Sequence, residues 1–174
     1  MISIIIPTVA PQSDMLRYCL SDIEAHTPEP HEVLVIEDVQ RQGFATTVNR
    51  GLAIAKGQVI VLLNDDTLPC QGWATNMLLV LAAHPEAGLV GPMSNWVSGP
   101  QRATDAQYGN WYELQQYAAQ RASTYQLQAQ ESRRLVGFCL MAKAAVMQTV
   151  GGLDENLLNA FEDDDWCLRA AAAG

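Results

Sequence analysis

A chain of 174 residues with a formal net charge of -9, 49% apolar and 17% charged residues fits one globular domain, since roughly 100 to 200 residues per domain is usual. Ten Lys and Arg against nineteen Asp and Glu exclude a nucleic-acid backbone as partner, because affinity for that polyanion comes from clustered cations. An acidic protein that handles phosphates needs a metal to mediate.

No run approaches the roughly 18 apolar residues of a membrane span, and Met1 to Pro7 lacks the basic start of a signal peptide. A cytoplasmic chain is expected, with or without peripheral membrane contact. Cys19, Cys70, Cys139 and Cys167 are widely spaced and only three His are present, which indicates neither a zinc site nor a disulfide framework.

In chain order, the β-branched run Ile2 to Ile6, stopped by Pro7, reads as a central strand ending in Pro7, Thr8 and Val9. Ser13 can cap a helix with Leu16, Cys19, Leu20 and Ile23 at helical spacing, ending near His26. Glu32 to Ile36 is a second buried strand closing on Glu37 and Asp38. Gly43 to Ala55 predicts a helix with Phe44, Val48, Leu52 and Ala55 on one side and Gly57 as its C-cap.

Val59 to Leu63 then forms an apolar strand that ends abruptly in Asn64, Asp65 and Asp66. Adjacent carboxylates repel, so this end is either a solvated acidic turn or the seat of a hard divalent ion that also holds a substrate phosphate. If the three strands lie parallel and adjacent, their carboxyl ends face one crevice, where open α/β sheets bind ligands.

Gly72 to His84 predicts a helix with Trp73, Met77, Leu78 and Leu81 inward, and Leu89 to Gly91 a short strand. Residues 94–134 read as an excursion from the sheet, functional or a plain surface insertion. Leu135 to Ala142 returns to strand character, Lys143 to Val150 to a short helix, and Gly151 to Glu155 to a turn. Glu162 to Asp165 then lead into a helix over Trp166 to Ala173. Acids there complement a helix dipole, but four in succession exceed what capping requires.

Taken in order, these motifs resemble inverting glycosyltransferases of family 2, which have the GT-A fold. Ser3 to Thr8 resembles the family's opening strand, and Gly43 to Gly51 with Asn49 its characteristic helix. Asn64, Asp65 and Asp66 fall where the Asp-x-Asp motif belongs. Gly151 to Glu155, followed by Phe161 to Arg169, resembles the Gly-Gly-Phe-Asp-Glu and Glu-Asp elements. Gly91 to Asn95 with Ser98 to Pro100 is similar to a segment of bacterial members that build surface polysaccharides or glycosylate proteins.

The resemblance implies a single α/β domain over 1–174, a three-layer sandwich with a mostly parallel sheet. It implies a donor of the nucleoside-diphosphate sugar class, UDP or dTDP by family frequency, and a glycan, lipid-linked or protein acceptor. Pro7, Thr8, Glu37, Asp38, Asn49, Asn64 and Asp65 would bind the nucleotide sugar, Asp66 would hold Mn or Mg, Asp163 would be the general base and Glu162 its support. Asp165 would pair with Arg169 along the helix face.

Two departures stand out. Glu37 replaces the usual Asp without a following Gly-Ser, and Asn64 replaces the first Asp of the metal motif. No His follows Glu162 to complete a metal shell, so the resemblance implies a catalytic domain cut from a longer protein. The rival of a different class is a noncatalytic module of the same fold that binds a nucleotide, a glycan or a partner protein. A sugar nucleotidyltransferase would need a Gly-rich basic loop after Pro7, and none is present.

Overall fold

A computed structural model describes residues 1–157 and 160–174. The strands are β1 (Ile2–Thr8), β2 (His31–Glu37), β3 (Val59–Leu63), β4 (Leu89–Val90) and β5 (Cys139–Lys143). The helices are α1 (Asp14–His26), α2 (Phe44–Leu52), α3 (Trp73–Ala83), α4 (Trp111–Thr124), α5 (Ala144–Val150) and α6 (Glu162–Ala172). The sheet order is β2-β1-β3-β5-β4. β1 pairs in parallel with β2 and β3, whereas β5 runs antiparallel to both β3 and β4. The sheet is therefore mostly parallel with one reversed strand.

Period-2 alternation sorts the apolar residues onto two faces. Ile2, Ile4, Ile6, Val61, Leu63, Cys139 and Met141 pack with α1 and α3 through Leu16, Cys19, Ile23, Met77 and Leu81. Ile5, Ile60, Leu62, Leu140 and Ala142 pack on the other face with α2 and α6 through Ala45, Val48, Trp166 and Cys167. The result is three layers with two cores. Burying one aliphatic side chain of this size contributes about 1.5–3 kcal/mol.

Four boundaries differ from the sequence reading, each for a local reason. β1 continues through Pro7 to Thr8. Ile2 donates to Pro30 and Thr8 accepts from Asp38 on the β2 side, so alternation turns the proline nitrogen toward β3, beyond the last β1–β3 pair at Ile5 and Leu62. Helix α2 stops at Leu52, and Gly57 is not its cap. A Cβ on Gly57 would lie 2.5 Å from the Ser3 nitrogen, so this glycine serves close approach to β1, where its amide and that of Lys56 donate to the buried Ser3 hydroxyl.

β5 begins at Cys139 rather than Leu135, because Val136 and Gly137 donate to the side chains of Gln101 and Asp163 instead of to a strand. α6 begins at Glu162, so the acidic residues form its first turn. Other boundaries match. Ser13 accepts from Leu16 at 3.1 Å as the cap of α1, and α3 runs between Gly72 and His84.

Residues 94–134 contain a 3-10 turn at Gly99–Gln101 and one α-helix, α4, which has no buried residue. Trp111 holds it to α1, stacking on His26 at 6.4 Å and donating to Asp22. No helix among the described residues is long and apolar enough to cross a membrane.

Gly51 tests the α2 layer. An added Cβ would come within 2.4 Å of Ile5 Cγ2 and 3.2 Å of Ile36 Cγ1, and Ile5 is fully buried. Gly51→Ala is expected to lower the unfolding free energy by about 1–3 kcal/mol through overpacking, read as a lower urea midpoint. An unchanged midpoint would mean that α2 can slide on the sheet.

Candidate functional site

The chain leaves β1 for β2 with α1 on one face, then crosses back over β1 to β3 with α2 on the other. The direction of winding reverses between β1 and β3, and the crevice at their carboxyl ends is a topological switch point. A hydrogen bond of 2.5 Å from Thr8 Oγ1 to Asp65 Oδ2 spans it. Thr8 is buried and lies beside Glu37 in the β1–β2 register. Glu37 and Asp66 are exposed, while Pro7, Asn64 and Asp65 are half-buried.

Asp38 is buried, and its carboxylate accepts from the amides of Gln42 at 2.7 Å and Gly43 at 3.0 Å. Burial pushes its pKa up, but those two amides, the Thr47 hydroxyl and the Arg50 charge outweigh it and hold the carboxyl below its ordinary range. Asp38 thus shapes the loop from β2 into α2.

Asn49 is tied to the turn that precedes α6. Its carboxamide donates to Leu153 O at 2.9 Å and Glu155 Oε1 at 2.8 Å and accepts from Leu153 N at 2.9 Å. Thr46 holds the other Glu155 oxygen. From the opposite side, Trp166 donates to Gly151 O and Arg169 to Val150 O and Gly152 O. The Gly151 to Glu155 turn is therefore a joint between α2 and α6. Gly152 has no room for a side chain, since a Cβ would sit 2.3 Å from Asn49 Oδ1.

That joint aims the first turn of α6 at the sheet edge. Because β5 is antiparallel, its entry lies next to the exit of β3, and Asn64 N donates to Phe138 O at 2.8 Å. One residue earlier, Gly137 N donates to Asp163 Oδ2 at 2.7 Å. A Cβ on Gly137 would lie 3.1 Å from Asp163 Cβ, so the glycine lets the helix approach. A continuous path of contacts joins Thr8, Asp65, Asn64, Phe138, Gly137 and Asp163. The Gly137 role was missed from sequence, although an isolated Gly in a strand-like run signals such an approach.

The four first-turn acids are not equivalent. Asp164 pairs with Arg134 at 2.5 Å and Asp165 with Arg169 at 2.7 Å. Among the described residues no ion pair takes Glu162 or Asp163. Glu162 is 6% exposed and its Oε1 has no hydrogen-bond partner, a state that costs about 1–3 kcal/mol. Just before it, Phe161 caps the helix at φ 72 and ψ 6, with no side-chain capping bond and 66% of its surface exposed. A bulky residue in the left-handed region costs on the order of 1–3 kcal/mol.

Asp65 and Asp66 are hard oxygen donors side by side. Among the described residues no three His, Cys, Asp or Glu side chains gather as a metal cage. The pair nevertheless fits a divalent ion whose remaining ligands are substrate phosphates and water, the usual arrangement for Mg. The same charges act inward: burial first, then Asp65, Asp22 and Asp66, push the Cys19 thiol up to about 12, so it stays protonated. His26 and His31 are engaged by the carbonyls of Pro69 and Glu29, and His84 by Glu86. A wide groove takes in Asp66 but not Glu162 or Asp163.

A family model, "Glycosyl transferase family 2", matches residues 18–148. The chain belongs to glycosyltransferase family 2. The "Uncharacterized protein y4gI" of Sinorhizobium fredii is 28% identical over 152 residues, 82% of this chain and 16% of that protein. Among solved structures, the mannosyltransferase PcManGT from Pyrobaculum calidifontis, in complex with GDP-Man and Mn2+, superposes with a TM-score of 0.63 at 18% identity, over 94% of this chain and 49% of that one. S. aureus TarS 1-349 in complex with UDP-GlcNAc gives 0.67 at 13% identity, over 99% of this chain and 53% of that one. At these identities the likeness is one of fold, and the fold is GT-A. This family-2 chain spans about half the length of those two structures.

Asp38 gives a pH test. A carboxyl whose folded pKa is depressed contributes stability above its unfolded value, 3.8, and loses it as pH falls through the folded value. The urea midpoint of wild type should fall below that pH more steeply than that of Asp38→Asn. Parallel acid limbs would show that the Asp38 carboxylate does not stabilise the fold.

Proposed function

We propose that the chain is the donor-binding and base-bearing part of a glycosyltransferase that moves a sugar from a nucleoside diphosphate to a hydroxyl acceptor with inversion. The contact path from Thr8 and Asp65 to Asp163 carries the reading. It links a hard-donor pair to an acidic pair that has no ion-pair partner among the described residues, at one end of the sheet. Glycosyl transfer needs that combination, since a diphosphate must be held while a hydroxyl nearby loses its proton.

Pro7, Thr8, Glu37 and Asn64 border the donor crevice, with Asp65 held in place by Thr8. Asp65 and Asp66 would hold Mn or Mg. When bound, that ion supplies neutralising charge to the departing diphosphate. Asp163 accepts the proton of the acceptor hydroxyl as that oxygen attacks the anomeric carbon opposite the leaving group. Gly137 orients the Asp163 carboxylate through Oδ2, and Glu162 supports the acceptor. Direct displacement inverts the anomeric centre and needs no covalent enzyme intermediate. Asn49 and Asp38 act through the backbone they hold. Uridine or deoxythymidine diphosphate is the proposed carrier, and the acceptor is a glycan, lipid-linked or protein hydroxyl met in the cytoplasm.

The rival is a noncatalytic module, favoured by Asn64 and Glu37 at positions where the family carries Asp. Asp163→Asn separates the two. For the enzyme it should lower transfer by about 10²–10⁴-fold, the usual contribution of a general base, with nucleotide affinity kept. Near-normal turnover would remove Asp163 from the mechanism. Asp66→Ala should abolish the Mn-dependent part of nucleoside-diphosphate binding in titration calorimetry, and wild-type affinity unchanged by chelator would sink the metal proposal.

A further inference from the structure

We infer that the free edge of β2 pairs antiparallel with β2 of a second copy of this chain, joining two sheets into one across a two-fold axis. β2 ends the sheet order and pairs only with β1. Ile2 N donates to Pro30 O and Asp38 N to Thr8 O, so the even-numbered residues of β2 turn their peptide groups to β1 and the odd-numbered ones turn theirs outward. Among the described residues no hydrogen bond takes the outward groups of Val33 or Val35. Arg50 covers the Glu37 carbonyl alone, at 3.2 Å.

Edge strands are usually blunted by brevity, by Lys or Pro, or by a bulge. The opposite edge follows that rule, since β4 has two residues. β2 does not. It has seven residues, none of them Lys or Pro, in unbroken register with β1. Its one internal charge, Glu32, is drawn inward by the Ser3 hydroxyl and the Lys56 amide. Val33, Leu34 and Val35 are only half-buried, although β1 beside them is buried nearly throughout.

The strand is also complementary to itself. Outward peptide groups of two copies meet where odd residues stand opposite odd residues, which registers centred on Val33, Leu34 or Val35 allow. Centring on Leu34 overlaps the whole strand and sets Val33 opposite Val35 and His31 opposite Glu37. Base then faces acid at both ends and apolar side chains meet between them, the pairs that stabilise neighbouring strands. Centring on either valine shortens the overlap and puts His31 or Glu37 opposite a valine. A strand of unrelated sequence would not match both ends, so the occupant is this chain itself.

Sedimentation velocity on the full chain over a concentration series tests this, with amide hydrogen exchange and far-UV circular dichroism alongside. Wild type should sediment as a dimer of the 19.0 kDa chain, with the Val33 and Val35 amides protected. Val33→Pro removes an outward donor and leaves the bonds to β1 in place, and His31→Glu sets acid against acid. Each should weaken the dimer by about tenfold or more with the circular dichroism unchanged. The double variant His31→Glu with Glu37→His exchanges the two ends and should restore it. If Val33→Pro loses its fold, His31→Glu and the double variant decide. A wild type that stays monomeric up to about 1 mM, open-ended aggregation in place of a closed dimer, His31→Glu dimerising as wild type does, or a double variant as weak as His31→Glu overturns the inference.

Discussion

The hydrogen bond from Gly137 N to Asp163 Oδ2 is the contact on which the site depends. It joins the last helix to the sheet at the point where β5 enters beside the exit of β3. Without it, the acidic turn of α6 and the acidic end of β3 would be features of separate elements. The contact exists because Gly137 has no side chain and β5 is reversed. A parallel β5 would place its entry at the far end of the sheet.

A second constraint fixes the angle at which α6 arrives. The Gly151 to Glu155 turn is gripped by Thr46 and Asn49 from α2 and by Trp166 and Arg169 from α6. Both helices pack on the same core face, so the turn ties the crossover that creates the switch point to the helix that carries Asp163. Half-buried amide and guanidinium groups with several partners each are costly to disturb, because losing one partner strands the other groups. Rigidity of this kind suits a site that positions charge.

Sequence patterning revealed the layers well. Apolar runs in Ile2 to Ile6 and Val59 to Leu63 marked buried strands and helical spacing marked α1 and α3, since burial on both faces leaves a strong apolar signature. The reversal of β5 was not legible, because a short run such as Cys139 to Ala142 is apolar in either direction and strand polarity is set by what it pairs with. Individual polar roles were also hidden. The resemblance assigns Asn49 to nucleotide binding, yet its carboxamide is engaged by a turn more than a hundred residues away in sequence. Gly57 reads as a helix cap and instead makes room for Ser3. In both cases the deciding partner is distant in the chain, beyond what a local pattern encodes. The acidic cluster was legible as a cluster, and so was the Asp165–Arg169 pair, but the pairing of Asp164 with Arg134 and the lack of ion pairs at Glu162 and Asp163 among the described residues needed coordinates.

The segment between β4 and β5 contributes one residue that reaches further than its surface location suggests. Gln101 is 5% exposed, donates to Pro92 O at 3.0 Å and accepts from Val136 N at 2.7 Å, one residue before the glycine that holds Asp163. A segment of this sort looks exchangeable between related enzymes, as a cassette that changes what is recognised. Here the cassette carries one of the struts behind Asp163, the proposed base. Transplanting it without Gln101, or with a different length between Gln101 and Val136, would shift that carboxylate along with the exchanged surface. On the proposed reading, specificity and chemistry in this chain are inherited together.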